Sequence, residues 1–313
     1  MQTWTKGALQ GVALIVLLAV AGAGSALAGQ RGSDTAHPSV PAVNDPWPEV
    51  NLNVVVLNKQ GAPQAVDVTG FQLFEDKSER PLHFRATADS PVSIAFLIDT
   101  SGSMYQRREL HAAAIKEIVN SLPAGSEVMA ILFADQAYID LPFTPVSSID
   151  YSFLDRLEAR GGTTLYDTVI VAEKYFVAHA RYARRAIVLF SDGGDNESKS
   201  RREDAIRSIE GPGAPTFYSF FIPDARTSIT ETGRETRAME DFAKAGGGVA
   251  LTPRQKDFAP AVTRLADMIR SQYVLHFTAA ESAHGAKAHK LEVRLPTKDV
   301  QIHALPVYYA PAK

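Results

Sequence analysis

No cysteine occurs in the 313 residues, which excludes disulfides, thiolate-held metals, a cysteine nucleophile and a lipidated cysteine near the amino terminus. Excess charge of either sign is also missing: 32 Lys and Arg face 35 Asp and Glu, for a net charge of −3. The arginine pairs Arg107-Arg108, Arg184-Arg185 and Arg201-Arg202 are isolated and read as solvated helix ends or loops, so nucleic acid is not an expected partner. Neither a phosphate loop ending in Gly-Lys-Ser/Thr nor a Gly-x-Gly-x-x-Gly fingerprint is present, which argues against nucleotide chemistry. The eight histidines are scattered, never pair at metal-ligand spacing and read mostly as surface or edge residues. The apolar run from Val12 to Ala23 is short of the roughly 20 residues that a membrane span needs.

That run follows Lys6 and precedes Ala26-Leu27-Ala28, a small-residue cleavage pattern, so residues 1–28 are expected to be a signal peptide and the rest an exported chain without a membrane span. Residues 29–48 contain Pro38, Pro41, Pro46 and Pro48 and read as a disordered linker. With 45% hydrophobic residues, the remainder can bury a full core.

The centre of the pattern is Val92 to Met104. An apolar run, Val92-Ser93-Ile94-Ala95-Phe96-Leu97-Ile98, reads as a strand buried on both faces, and a helix should follow from Leu110 to Leu122. Between them Asp99, Ser101 and Ser103 alternate, so an extended loop can turn all three to one side. One carboxylate and two hydroxyls are hard donors that suit Mg²⁺, Mn²⁺ or Ca²⁺ rather than zinc, and they need further ligands from other loops. An EF-hand is excluded, because Met104 and Leu110 stand where its Gly and Glu belong.

Asp99-Thr100-Ser101-Gly102-Ser103 after an apolar strand resembles the Asp-x-Ser-x-Ser signature of von Willebrand factor type A domains, including integrin I domains. Two more motifs follow in the family's order: Gly161-Gly162-Thr163, and Ser191-Asp192-Gly193 at the end of the strand Ile187–Phe190. The resemblance implies a metal-ion-dependent adhesion site. Ser101 and Ser103 would touch the ion directly, Asp99 and Asp192 would hold it directly or through water, and Thr163 would join when a ligand binds. Thr163 follows the glycine pair directly as in the family, although spacing alone does not separate it from Thr164. A free position on the ion would accept an acidic side chain of a protein partner.

The expected fold is α/β: a doubly wound, mostly parallel sheet over residues 91–272, flanked by a small β-sandwich built from strands of residues 49–90 and 273–313. Site residues then fall at the carboxyl ends of the strands, where such sheets bind ligands. Phe217, Tyr218, Phe220 and Phe221 read as core rather than as a recognition strip. Asp195 and Glu197 read as loop residues near the rim, and Arg226 to Arg237 as a polar segment that could contact a partner. The function expected is non-enzymatic, metal-dependent protein binding in the periplasm or outside the cell. Its rivals are a metal-dependent envelope hydrolase, for which no general base is evident and no Gly-x-Ser-x-Gly elbow exists, and a scaffold whose metal site has lapsed. The aspartic-protease reading fails because Gly102 sits one place late for Asp-Thr-Gly.

Overall fold

A computed structural model describes residues 47–86, 90–221, 229–280, 283, 285 and 287–311. The expected signal peptide and nearly all of the expected linker lie outside the described residues. Four strands come first: β1 (Glu49–Asn58), β2 (Gln72–Glu75), β3 (Ser78–Arg80) and β4 (His83–Ala86). The central part runs β5 (Val92–Asp99), α1 (Arg108–Ser121), β6 (Glu127–Phe133), β7 (Ala137–Pro145), α2 (Leu165–His179), β8 (Arg184–Phe190), α3 (Arg202–Ile209), β9 (Thr216–Phe220), α4 (Ile229–Ala245), β10 (Ala250–Leu251) and α5 (Phe258–Arg270). The chain returns through β11 (Tyr273–Thr278), β12 (Ala288–Arg294), β13 (Val300–Ala304) and β14 (Val307–Tyr309).

The central sheet has the order β10-β9-β8-β5-β6-β7, parallel throughout except for the antiparallel edge strand β7. All eight residues of β5 are buried, because its period of two feeds both faces. Ile94, Phe96 and Ile98 pack with Ile115, Ile118, Leu265 and Ile269 of α1 and α5, while Ala95 and Leu97 pack with Val169, Phe176, Ile209 and Phe242 of α2, α3 and α4. Each such aliphatic or aromatic side chain contributes roughly 1.5–3 kcal/mol on leaving water. The sheet is therefore the middle of three layers. From β5 the chain moves outward on one side to β6 and on the other to β8, so strand order reverses between β5 and β8, and at such a reversal ligands bind beyond the carboxyl ends of the strands.

Two antiparallel four-stranded sheets, β13-β1-β11-β4 and β14-β12-β2-β3, flank this domain. Val50, Leu52, Val54 and Val56 of β1 share one core with Leu73, Leu275, Phe277, Leu291 and Tyr308, so strands from both ends of the chain close a single sandwich. β3, which the sequence did not signal, forms because Asp76 and Lys77 take left-handed φ values of 47° and 74°, the backbone of a two-residue hairpin.

Several local expectations need correction. Arg184 and Arg185 are not solvated but buried at the amino edge of the sheet. Arg184 donates to the carbonyls of Ser90, Ile269 (2.8 Å) and Arg270 (2.6 Å), closing the end of α5. Arg107 is buried too, with Nη1 donating to Ser103 O at 3.0 Å. Three histidines, His111, His276 and His289, are buried rather than surface residues. His111 packs against Phe190 with ring centroids 5.0 Å apart and the rings tilted by 39°; burial, and secondarily the Arg107 charge, push it down to about 3 and keep it neutral. Of the segment Arg226 to Arg237, residues from Ile229 onward belong to α4 and the preceding three lie outside the described residues. Phe217, Tyr218, Phe220 and Phe221 are all core. Among the described residues no helix is long and apolar enough to cross a membrane.

Candidate metal centre at the carboxyl edge of the sheet

β5 delivers Asp99 to the carboxyl edge of the sheet as its last residue, 2% exposed. Its Oδ1 accepts from the backbone N–H of Ser101 at 2.9 Å and its Oδ2 from the Ser191 hydroxyl at 2.6 Å. Ser101 and Ser103 face each other with hydroxyl oxygens 3.1 Å apart. Ser191 is itself held, because its hydroxyl accepts from Gly193 N–H at 3.0 Å. Asp192, half-buried at the end of the neighbouring strand, accepts from Gly194 N–H at 3.1 Å.

Burial, followed by the like charge of Asp192, pushes the Asp99 carboxyl up to about 7, against the lowering effect of the Ser101 and Ser191 hydrogen bonds. Two donors do not offset the lost hydration of a buried carboxylate with a second carboxylate nearby. Such a carboxyl is relieved either by a proton or by a cation brought beside it.

The third loop is fastened to the other two. Gly102 N–H donates to Gly161 O at 3.3 Å, and Arg160 N–H to Thr100 O at 2.9 Å, so residues 160–161 lie against the loop carrying Asp99, Ser101 and Ser103. Thr163 is tied to the loop after β8: its N–H donates to Asn196 Oδ1 at 2.7 Å, and its carbonyl accepts from Asn196 and Glu197 N–H, each at 3.1 Å. The Thr164 hydroxyl is committed to the carbonyl of Ala134 at 2.9 Å. Among the described residues the Thr163 hydroxyl has no hydrogen-bond partner. Asp195 is a cap rather than a rim residue, since its Oδ2 accepts from Tyr166 N–H at the start of α2 (3.0 Å) and from the Ser198 hydroxyl (2.6 Å).

Two supporting residues went unread in the sequence. Asp135, in the turn between β6 and β7, accepts from Gly162 N–H, and its carboxylate lies 2.6 Å from where a Cβ on Gly161 would stand. Gly161, at φ +80°, is therefore required both by backbone and by space. Asn196 is the other support. Gly193, at φ +85°, lets α4 approach so closely that a Cβ there would sit 2.5 Å from Glu235 O.

Asp99, Ser101 and Ser103 thus lie at the end of one strand and in the turn after it, the charge of Asp192 reaches the Asp99 carboxyl, and residues 160–163 are hydrogen-bonded to the loops after both strands. No group of three or more His, Cys, Asp or Glu able to hold a metal exists among the described residues. The centre is hydroxyl-rich, two carboxylates and three hydroxyls, which fits a hard divalent ion that retains water.

Residues 94–194, which take in all three loops, match the family described as von Willebrand factor type A domain. No curated protein matches the chain. Among solved structures it is similar to the von Willebrand factor type A protein from Catenulispora acidiphila (13% identity, 90% of this chain and 76% of that one, TM-score 0.48). It is also similar to an aerotolerance-related membrane protein from Bacteroides fragilis (21% identity, 57% and 98%, TM-score 0.42). A third is proximal thread matrix protein 1 of the mussel byssus, solved with a zinc-occupied MIDAS motif (14% identity, 62% and 49%, TM-score 0.49). Over residues 94–194 the chain thus matches a von Willebrand factor type A domain, and the matched stretch includes Asp99, Ser101, Ser103, Thr163 and Asp192.

Proposed function

We propose that the protein is an exported, non-enzymatic recognition module in which a divalent cation, Mg²⁺ or else Mn²⁺ or Ca²⁺, bridges this centre to an acidic side chain of a protein partner. The observation that carries the reading is the buried Asp99 carboxylate, raised by burial and by Asp192 and flanked by hydroxyls of Ser101 and Ser103. Asp99, Ser101, Ser103, Thr163 and Asp192 would hold the ion. Two protein carboxylates balance its charge, so a third carboxylate, from outside, is tolerated at the remaining position. Export rests on the amino-terminal sequence pattern.

A pull-down from envelope extract tests this. Capture in Mg²⁺ should be lost in EDTA and in Asp99→Ala, while calorimetry shows Mg²⁺ binding to wild type and not to the variant. Capture that is indifferent to both changes would overturn the metal bridge, absence of any cation binding would favour the lapsed scaffold, and EDTA-sensitive turnover of generic esters or phosphoesters would favour the hydrolase.

A further inference from the structure

Residues 162–164 present three successive backbone N–H groups, each held by a different acceptor. Gly162 N–H donates to the Asp135 carboxylate, Thr163 N–H to Asn196 Oδ1 at 2.7 Å and Thr164 N–H to Ala134 O at 2.8 Å. The first and third acceptors lie in the β6–β7 turn, the second in the loop after β8. That loop is bound further along as well. Tyr166 N–H donates to Asp195 Oδ2 at 3.0 Å and Asp167 N–H to the Ser198 hydroxyl at 3.1 Å, while the Asp167 carboxylate accepts from Lys199 and Ser200 N–H at 2.9 and 3.0 Å. Asp192 stands at the start of the same loop, whereas the turn with Ser101 and Ser103 meets residues 160–161 through the backbone bonds of Gly102 and Arg160. The centre thus has two halves: Asp99, Ser101 and Ser103 in one, Asp192 and Thr163 in the other.

We propose that Asn196 is a positioning residue that fixes Thr163 to the Asp192 loop, so that the Thr163 hydroxyl serves the cation before any partner arrives. The proposal rests on the metal-bridged reading above. Thr163 has its N–H and its carbonyl both bonded to Asn196, and its hydroxyl alone is left over. If the partner had to bring Thr163 in, these main-chain bonds would break at a residue only 6% exposed, or residues 192–198 would travel with it. Asn196 is itself exposed, so its side chain can be removed without opening the core. The donor set of the protein is then complete in its free state, and the partner adds only its own carboxylate.

Calorimetry of Mg²⁺ binding to the partner-free protein tests this. Thr163→Val should weaken Mg²⁺ binding about tenfold, and Asn196→Ala nearly as much, the lower end of what outer-shell partners of metal ligands contribute. The double variant should be no weaker than Thr163→Val alone. In Asn196→Asp, which keeps an acceptor for Thr163 N–H, Thr163→Val should again cost about tenfold. An Asp-containing peptide, read by fluorescence anisotropy below Mg²⁺ saturation, should show the same losses. In the metal-free protein the Thr163 amide proton should exchange slowly, and at least tenfold faster in Asn196→Ala. Normal Mg²⁺ binding by Thr163→Val with loss of peptide binding only would mean that the partner recruits Thr163, and effects that multiply in the double variant would mean that Asn196 acts elsewhere. Either result overturns the proposal and leaves the metal bridge standing, whereas a wild type that binds no Mg²⁺ overturns both.

Discussion

The two ends of the central sheet bury polar side chains to opposite effect. At the amino edge, the Ser93 hydroxyl donates to Glu127 at 2.7 Å, the same carboxylate oxygen accepts from Arg181 N–H at 2.6 Å, and Tyr182 N–H donates to Ser93 at 3.0 Å. Arg184 is spread over three carbonyls, and Arg185 N–H donates to Asn53 Oδ1 at 3.1 Å, tying β8 to the sandwich. At the carboxyl edge, Asp99 is as deeply buried but has two donors, a second carboxylate facing it and no base beside it in its hydrogen bonding. A buried polar network that holds its own positive charge fixes a structure, whereas one left short of positive charge stores a cost that a cation removes.

The largest effect should come from breaking the amino edge. Arg184→Met leaves the carbonyls of Ser90, Ile269 and Arg270 without their donor and should lower unfolding stability by about 3–5 kcal/mol. Mg²⁺ affinity of the folded protein should hardly change. Denaturant unfolding and calorimetry together check this, and a loss below about 1 kcal/mol would remove the contrast between the edges.

Next in size is the pH response of the open edge. The folded Asp99 carboxyl lies at about 7 and its ordinary value is 3.8, so between these values the folded state holds a proton that the unfolded state has released. Stability without metal should therefore fall as pH rises from about 4 to 7, by up to roughly 4 kcal/mol from this group, and level off above. Saturating Mg²⁺ should flatten the fall, and Asp99→Asn should flatten it without metal. A metal-free protein equally stable at both ends of that range would show that the charge is already compensated.

How much of this was readable in the sequence depended on how far each signal reaches. β5 and β8 stand out because both faces are buried and almost every residue must be apolar. β3 did not, since Ser78, Glu79 and Arg80 form a polar edge strand and the turn before it lacks the Asn-Gly or Asp-Gly pair that marks such hairpins. Arg184 and Arg185 were misread because, apart from Tyr182 O, which accepts from Arg185 Nε, the carbonyls that accept from their side chains belong to distant segments, and a charge whose partners are remote in sequence looks solvated. The motifs bearing the five donors were legible as local patterns. Asp135 and Asn196 were not, because each acts on the backbone N–H of a residue 27 and 33 positions away, respectively. A side chain that supports a loop through a main-chain group places no demand on the residue type it touches, so nothing in the neighbouring sequence announces it.

The smallest effect discriminates between neighbours in the open edge. Thr163 and Thr164 are equally buried at 6% exposure, yet only Thr164 has its hydroxyl engaged, with Ala134 O at 2.9 Å. Valine keeps the shape and deletes the hydroxyl in either case. Thr164→Val should cost about 1 kcal/mol of stability, one buried hydrogen bond, with Mg²⁺-dependent peptide binding unchanged. Thr163→Val should leave stability where it was, because its backbone contacts to Asn196 and Glu197 survive, and weaken that binding by roughly tenfold, about 1.4 kcal/mol. If the two variants exchanged phenotypes, Thr164 would be the ligand and the Ala134 contact a resting position. The comparison between edges would then sharpen: a hydroxyl that appears satisfied would be one that the cation recruits.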